Sequence, residues 1–275
     1  MNHWINVVPR TANNSVLGKD EFRDMIMLRY QITPKDLPTV CDGCGKKHSL
    51  HHALQCIKGG LIGGRYDDYR DDLGLVAGQA YSPSSIRDDP RVKKGRETED
   101  RSKKLDPQDA QVTTITNKDK QKDDGLYGDL LIRHLWQSNT DTIIDVRITD
   151  TDAKSYISRP LESVLEGQEK EKKRKYLNAC LEQRRHFSPF VVSVDGMLGH
   201  EASMVLKRIS QKLAQKWDCP MSYASNYVKT TMSLSLVRAT HCCLRGSRVP
   251  SSAMSKKHWP CEDGAGIGLL QTAEF

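Results

Sequence analysis

The chain has 275 residues, 37% of them hydrophobic, 28% charged and 6% aromatic, which suits one large domain or two small ones with some sequence outside a packed core. No run approaches the ~20 apolar residues of a membrane helix. Met1–Arg10 lacks the regions of a signal peptide, and eight Cys are too few for a disulfide scaffold. The expected setting is therefore intracellular, nuclear or cytoplasmic, with no secretion and no membrane. The net charge of +7 favours a polyanionic partner.

Residues 1–39 are a helical lead-in. Lys19–Tyr30 reads as a helix whose Phe22, Ile26 and Tyr30 share one face, with Asp20 and Glu21 in the first turn. Pro34 and Pro38 then break the chain. Val40–Gly64 is a Cys/Gly-rich knot. Arg65–Ala80 reads as a helix that begins with Asp67, Asp68 and Asp71, three carboxylates suited to a helix N-terminus. Residues 82–124 are dominated by Lys, Arg, Asp, Glu, Ser, Pro and Gln with both charge signs interspersed, the pattern of a disordered insertion.

From 125 to 248 the sequence turns globular. Asp129–Trp136 and Thr142–Thr149 read as two strands joined by a hairpin-length loop. A long polar helix is expected over Leu161–Arg185, and a third strand over Phe187–Asp195. Glu201–Trp217 is an amphipathic helix with Leu206, Ile209, Leu213 and Trp217 on one face. Tyr223–Leu244 is a more apolar, buried helix. Residues 249–275 are Ser/Gly-rich and read as a flexible tail.

Cys41-x2-Cys44-x7-His52-x3-Cys56 carries the strongest chemical signal. Thiolates and imidazole are the ligands of tetrahedral Zn²⁺. Asp42-Gly43 supplies a turn that aims two sulfurs at one point, and His52 and Cys56 are spaced for one helical turn. His51 and His48 are rivals for the nitrogen ligand. Four protein ligands make a structural site, organising a stretch too short to build its own core. Cys180, Cys219, Cys242, Cys243 and Cys261 read as core or spectator thiols.

A second constellation is acidic. Phosphodiester cleavage with Mg²⁺ or Mn²⁺ needs two or three carboxylates on the metal and a nearby cation for the developing charge. Asp129 opens the first strand. Asp145 interrupts the apolar second strand, where a buried carboxylate needs a partner or a metal. Arg147, two residues on, shares its face. The simpler alternative is an Asp145–Arg147 ion pair on an edge strand. On the polar helix, Lys172 and Lys175 share a face near Tyr176. They read as a solvated face, as phosphate contacts, or as a catalytic lysine moved from strand to helix.

The order of these motifs resembles the region that follows the polymerase in non-long-terminal-repeat retrotransposon polyproteins with a restriction-like endonuclease. Leu37-Pro38-x2-Cys41-x2-Cys44-Gly45, His52-Ala53-Leu54-x-Cys56-x2-Gly59-Gly60 and Arg65-x4-Arg70-Asp71 match the zinc knuckle and the helix after it. Asp129, Asp145, Lys172-x2-Lys175-Tyr176 and Phe187-x-Pro189-Phe190-Val191-Val192 match the PD-(D/E)xK-type nuclease. The resemblance implies an α+β fold, a small zinc knuckle (40–64) followed by a helix (65–81) and a restriction-endonuclease-like mixed β-sheet flanked by helices (125–248). It also implies DNA nicking for target-primed insertion beside a reverse transcriptase domain absent from this chain, with DNA as partner and RNA as a further candidate.

Carried over by position, Asp129 and Asp145 bind Mg²⁺ or Mn²⁺, Lys172 or Lys175 is the basic partner, and Asp68 is the helix acid. Cys41, Cys44, His52 and Cys56 bind zinc. The chain departs from the pattern at Gly128, where the motif has Pro, at Arg147, where it has Lys, and at Tyr66, where His is usual. Asp88-Asp89-Pro90 stands as the remnant of an acidic-Pro element. A non-catalytic nucleic-acid-binding remnant of the same retroelement region is the alternative expectation.

Overall fold

The computed structural model describes residues 3–11, 14–93, 126–153 and 155–249. Most of the expected polar insertion and nearly all of the expected tail lie outside those residues. Six helices, α1 (Lys19–Arg29), α2 (Leu50–Gln55), α3 (Leu61–Ala80), α4 (Leu161–Glu182), α5 (His200–Trp217) and α6 (Met221–Arg245), accompany six described strands: β1 (Ile86–Asp88), β2 (Arg91–Lys93), β3 (Leu126–Tyr127), β4 (Leu130–Arg133), β5 (Asp141–Thr149) and β6 (His186–Ser193).

The main sheet is mixed, in the order β1-β4-β5-β6. β1–β4 and β4–β5 are antiparallel, and β5–β6 is parallel with α4 as the crossover. Alternation along the strands sorts the side chains into two layers. Leu130, Ile132, Ile144, Val146, Phe190 and Val192 face a large core built with α3, α5 and α6. Leu131, Ile143 and Phe187 face Tyr176 and Cys180 of α4. The sheet thus lies between α4 and a three-helix layer. Pro189 is tolerated because β6 is an edge strand.

Three expectations change. Phe22 of α1 and Tyr30 at its C-cap are 48% and 68% exposed, while Asp24 and Met25 are buried. The Asp24 carboxylate is gripped by Arg245 of α6 at 2.5 and 2.7 Å, and this long-range pair overrides the apolar periodicity of the helix. The expected insertion begins with structure, because Ile86–Asp88 pairs with Leu130–Ile132 as a sheet edge. α3 starts at Leu61, so Asp67, Asp68 and Asp71 lie beyond its first turn. Among the described residues, no helix is long and apolar enough to cross a membrane.

Candidate metal centre and carboxylate site

The chain from Val40 to Lys47 closes as a bridged loop. Cys41 N–H donates to Lys46 C=O at 2.8 Å and Gly45 N–H to Cys41 C=O at 2.9 Å. Gly45 turns with φ +71°, a conformation that side-chain-bearing residues rarely adopt. Ser49 then caps α2 by accepting from His52 N–H at 3.1 Å.

These turns bring one ligand atom each from Cys41, Cys44, His52 and Cys56 within 4.8 Å of one another, a set that can hold a metal ion such as zinc. The Cys41–Cys56 and Cys44–Cys56 sulfur separations are 3.9 Å, and His52 Nε2 lies 3.3 Å from Cys44 Sγ. A tetrahedron with ~2.3 Å metal–sulfur bonds has an edge of ~3.8 Å, so the spacing fits. Burial raises the Cys41 thiol, but hydrogen bonding to His52, Gly43 and Cys44 outweighs it and brings the thiol down to about 6. Both rivals for the nitrogen ligand fall outside the set. His51 Nδ1 bonds Asp150 at 3.1 Å, and the His48 ring centre lies 6.2 Å from that of His52. The role of Asp42 was missed from sequence. Its carboxylate accepts from Ser247 Oγ and Arg248 N–H, both at 2.8 Å, and so fastens the segment after α6 to the knuckle.

The acidic constellation forms where β4 begins beside the middle of β5. Asp129 N–H donates to Ile144 C=O at 2.9 Å, and the Asp129 carboxylate accepts from Val146 N–H at 2.5 Å. Asp145, between those two β5 residues, points toward α4 and is 2% exposed. There its carboxylate meets the Lys172 ammonium and the Tyr176 hydroxyl. Asp129 is bonded by the Tyr66 hydroxyl of α3. Burial, and then the charge of Asp145, push Asp129 up to about 6 against the hydrogen bonds from Tyr66 and Val146 and the charge of Lys172. Burial likewise raises both phenols, which keeps them hydrogen-bond donors at neutral pH.

Lys175 is one step removed. Its ammonium lies 3.0 Å from Tyr176 Oη and 4.7 Å from the ring centre. Arg147 pairs with Glu171 at 2.9 Å. The expected alternative, an Asp145–Arg147 pair on an edge strand, is absent, since β5 is central and each residue has its own partner on α4. Asp68 is placed toward α6. It is exposed, and its charge acts on Cys242 and Cys243 of α6. From the same helix, Tyr66 reaches Asp129 and Arg70 stands 5.8 Å from the Tyr66 ring centre.

Gly128 has a steric reason. A Cβ there would lie 2.3 Å from Ile143 Cγ2, so the motif's Pro has no room. Asp89 and Pro90 run alongside, with Asp89 N–H on Asp129 C=O at 3.1 Å and Gly128 N–H on Pro90 C=O at 3.0 Å. No family model matches this chain, and no curated protein matches it.

Proposed function

We propose that this chain is a retrotransposon-derived, metal-dependent DNA endonuclease domain with a structural zinc knuckle and a restriction-endonuclease-like core. One observation carries the reading: half-buried Asp129 and buried Asp145, from neighbouring strands, lie close enough for their charges to interact, with Lys172 acting on both. Two interacting carboxylates, one of them pushed up to about 6 by burial and by the other's charge, suit a divalent cation that relieves their repulsion.

Asp129 and Asp145 would hold Mg²⁺ or Mn²⁺, which when bound polarises a phosphodiester and lowers the pKa of water. Lys172, which pairs with Asp145 from α4, would act as the motif's lysine. It compensates the carboxylates and offers a cation for the charge that develops on the cleaved phosphate. Tyr66 and Tyr176 orient one carboxylate each. Arg147 keeps its proton and supplies fixed positive charge. Cys41, Cys44, His52 and Cys56 would bind zinc structurally, with no ligand position left for chemistry. DNA is the proposed substrate, with RNA as a further partner and a separate reverse transcriptase domain as the companion activity.

The test is supercoiled plasmid with Mn²⁺ or Mg²⁺. Wild-type protein should yield open circles, and Asp129→Asn and Asp145→Asn should not, while keeping the wild-type circular dichroism. A folded wild-type protein that leaves plasmid intact with both ions would refute the reading. The direct Lys172–Asp145 contact favours a second reading, in which the ammonium serves in place of a metal and the chain only binds nucleic acid. That reading expects salt-sensitive binding without cleavage.

A further inference from the structure

Arg147 stands two residues after Asp145 on the same face of β5, about 7 Å along the strand at ~3.4 Å per residue. That offset is comparable with one step along a nucleic-acid backbone. Its guanidinium Nη1 lies 2.9 Å from Glu171 Oε2, and the two side chains are 31% and 59% exposed. The neighbouring residue of α4, Lys172, is turned inward against Asp145, with the side chains 19% and 3% exposed. Adjacent α4 residues therefore serve the two β5 groups in contrasting ways, one pair closed and one open to solvent.

A guanidinium presents the same planar fork to a carboxylate as to a phosphate. An exposed ion pair of this kind is weakly held and yields readily to a polyanion. Arg70, on the other side of the site, differs in having Asp67, Asp71 and Asp89 within 3.2, 2.8 and 3.8 Å, so losing one partner would not free it.

We propose that Arg147 is the docking point for a DNA backbone phosphate adjacent to the one at the carboxylate pair, and that Glu171 occupies this position in the free protein. The assignment rests on the endonuclease reading for its substrate but is tested by binding alone. Glu171 acts as an internal substitute for phosphate. DNA takes over the guanidinium, and the released carboxylate swings into solvent.

The experiment is titration of a short fluorescent DNA duplex in EDTA across a range of salt concentrations. Arg147→Ala should weaken binding about tenfold and lower the slope of log K against log salt by about 0.9, one phosphate's worth. Arg147→Lys should retain the slope. Glu171→Gln, which removes the competitor, should tighten binding about threefold. Lys170→Ala removes the same charge from an α4 side chain that is 67% exposed and paired with Glu166, and it should change both quantities much less. The proposal is overturned if Arg147→Ala leaves the slope unchanged, if Lys170→Ala matches it, or if Glu171→Gln fails to tighten binding. A protein that meets these expectations but never nicks keeps this inference and loses the endonuclease reading. One that nicks while Arg147→Ala binds as wild type does the reverse.

Discussion

Replacing Lys172 with Met tests how closely the carboxylate site depends on its internal cation. Asp145 is nearly inaccessible and the Lys172 ammonium is its charged partner. Removing one member of a buried pair costs about 3–5 kcal/mol, because the remaining charge stays desolvated and uncompensated. The lower end, about 3 kcal/mol, is expected here, since Lys172 is partly exposed and the Tyr176 hydroxyl still bonds Asp145. At ~2–4 °C per kcal/mol for a domain of this size, the melting temperature should fall by roughly 6–12 °C without divalent ions. Asp145→Asn in the Lys172→Met background should restore most of the loss, giving a coupling energy of ~2 kcal/mol in a double-mutant cycle. Added Mn²⁺ should stabilise Lys172→Met more than wild type, because the ion then meets two uncompensated carboxylates. Thermal and urea unfolding followed by circular dichroism measure all of this. A cost below ~1 kcal/mol, the range of a solvent-exposed pair, would mean that Asp145 is not held in a desolvated site, and the argument for a metal locus would fail with it.

Asp129 adds a pH signature. Its carboxyl is raised from 3.8 to about 6, so its favourable contribution is complete below about pH 4 and disappears as pH rises through ~6, costing roughly 3 kcal/mol at neutral pH. Metal-free wild type should therefore lose stability relative to Asp129→Asn between about pH 4 and 7, and equal pH profiles would contradict the assignment. The knuckle should carry one zinc per chain by atomic emission and lose it in Cys44→Ser. If purified protein held no zinc and chelation left protease resistance of residues 40–60 unchanged, the metal assignment would fail. Gly128→Ala should cost about 1–3 kcal/mol by overpacking against Ile143 and reduce nicking, because it displaces the backbone that positions Asp129. Unaltered stability would show that the strand yields freely there.

What the sequence disclosed follows the range of the interactions involved. The Cys/His set was readable because its members lie between Cys41 and Cys56 and their chemistry is local. The β4–β5 hairpin was readable because its strands are neighbours in the chain. The face of α1 was not, since Asp24 is buried by an arginine 221 positions away. β1 was hidden because three residues in a polar stretch become a strand only by pairing with β4. On α3 it is Tyr66 that bonds Asp129, and Asp68, two residues round the helix from it, acts on Cys242 and Cys243 of α6, a division that only the packing of α3 reveals. Lys172 and Lys175 were equivalent in the sequence, and only the packing of α4 on β5 separates them.

The knuckle and the carboxylate site are connected, but unequally. The knuckle contributes Ala53 and Leu54, with Leu50, Leu61 and Ile62 packed against them, to a buried cluster completed by Val194, Cys243 and Leu244, so its apolar residues share a core with the rest of the chain. It is fastened at two points. His51 and Gln55 both bond the Asp150 carboxylate, at 3.1 and 3.2 Å, just beyond the end of β5. Asp42 holds residues 247 and 248, while Arg248 reaches Ala53 C=O at 3.0 Å and Cys243 C=O at 2.6 Å. A metal that orders Cys41–Cys56 keeps both fastenings in register. The placement of Asp129 beside the Asp145 stretch of β5, however, rests mainly on hydrogen bonds within the sheet, from Asp129 N–H to Ile144 and from Val146 N–H to Asp129. Disturbance from the knuckle can travel to Asp145 through the last residues of β5, or to Asp129 through α3, whose Tyr66 bonds that carboxylate. Loss of zinc should therefore loosen the loop after Asp150 and the segment after α6 first, with the backbone hydrogen bonds that hold Asp129 against β5 lasting until the sheet itself unfolds.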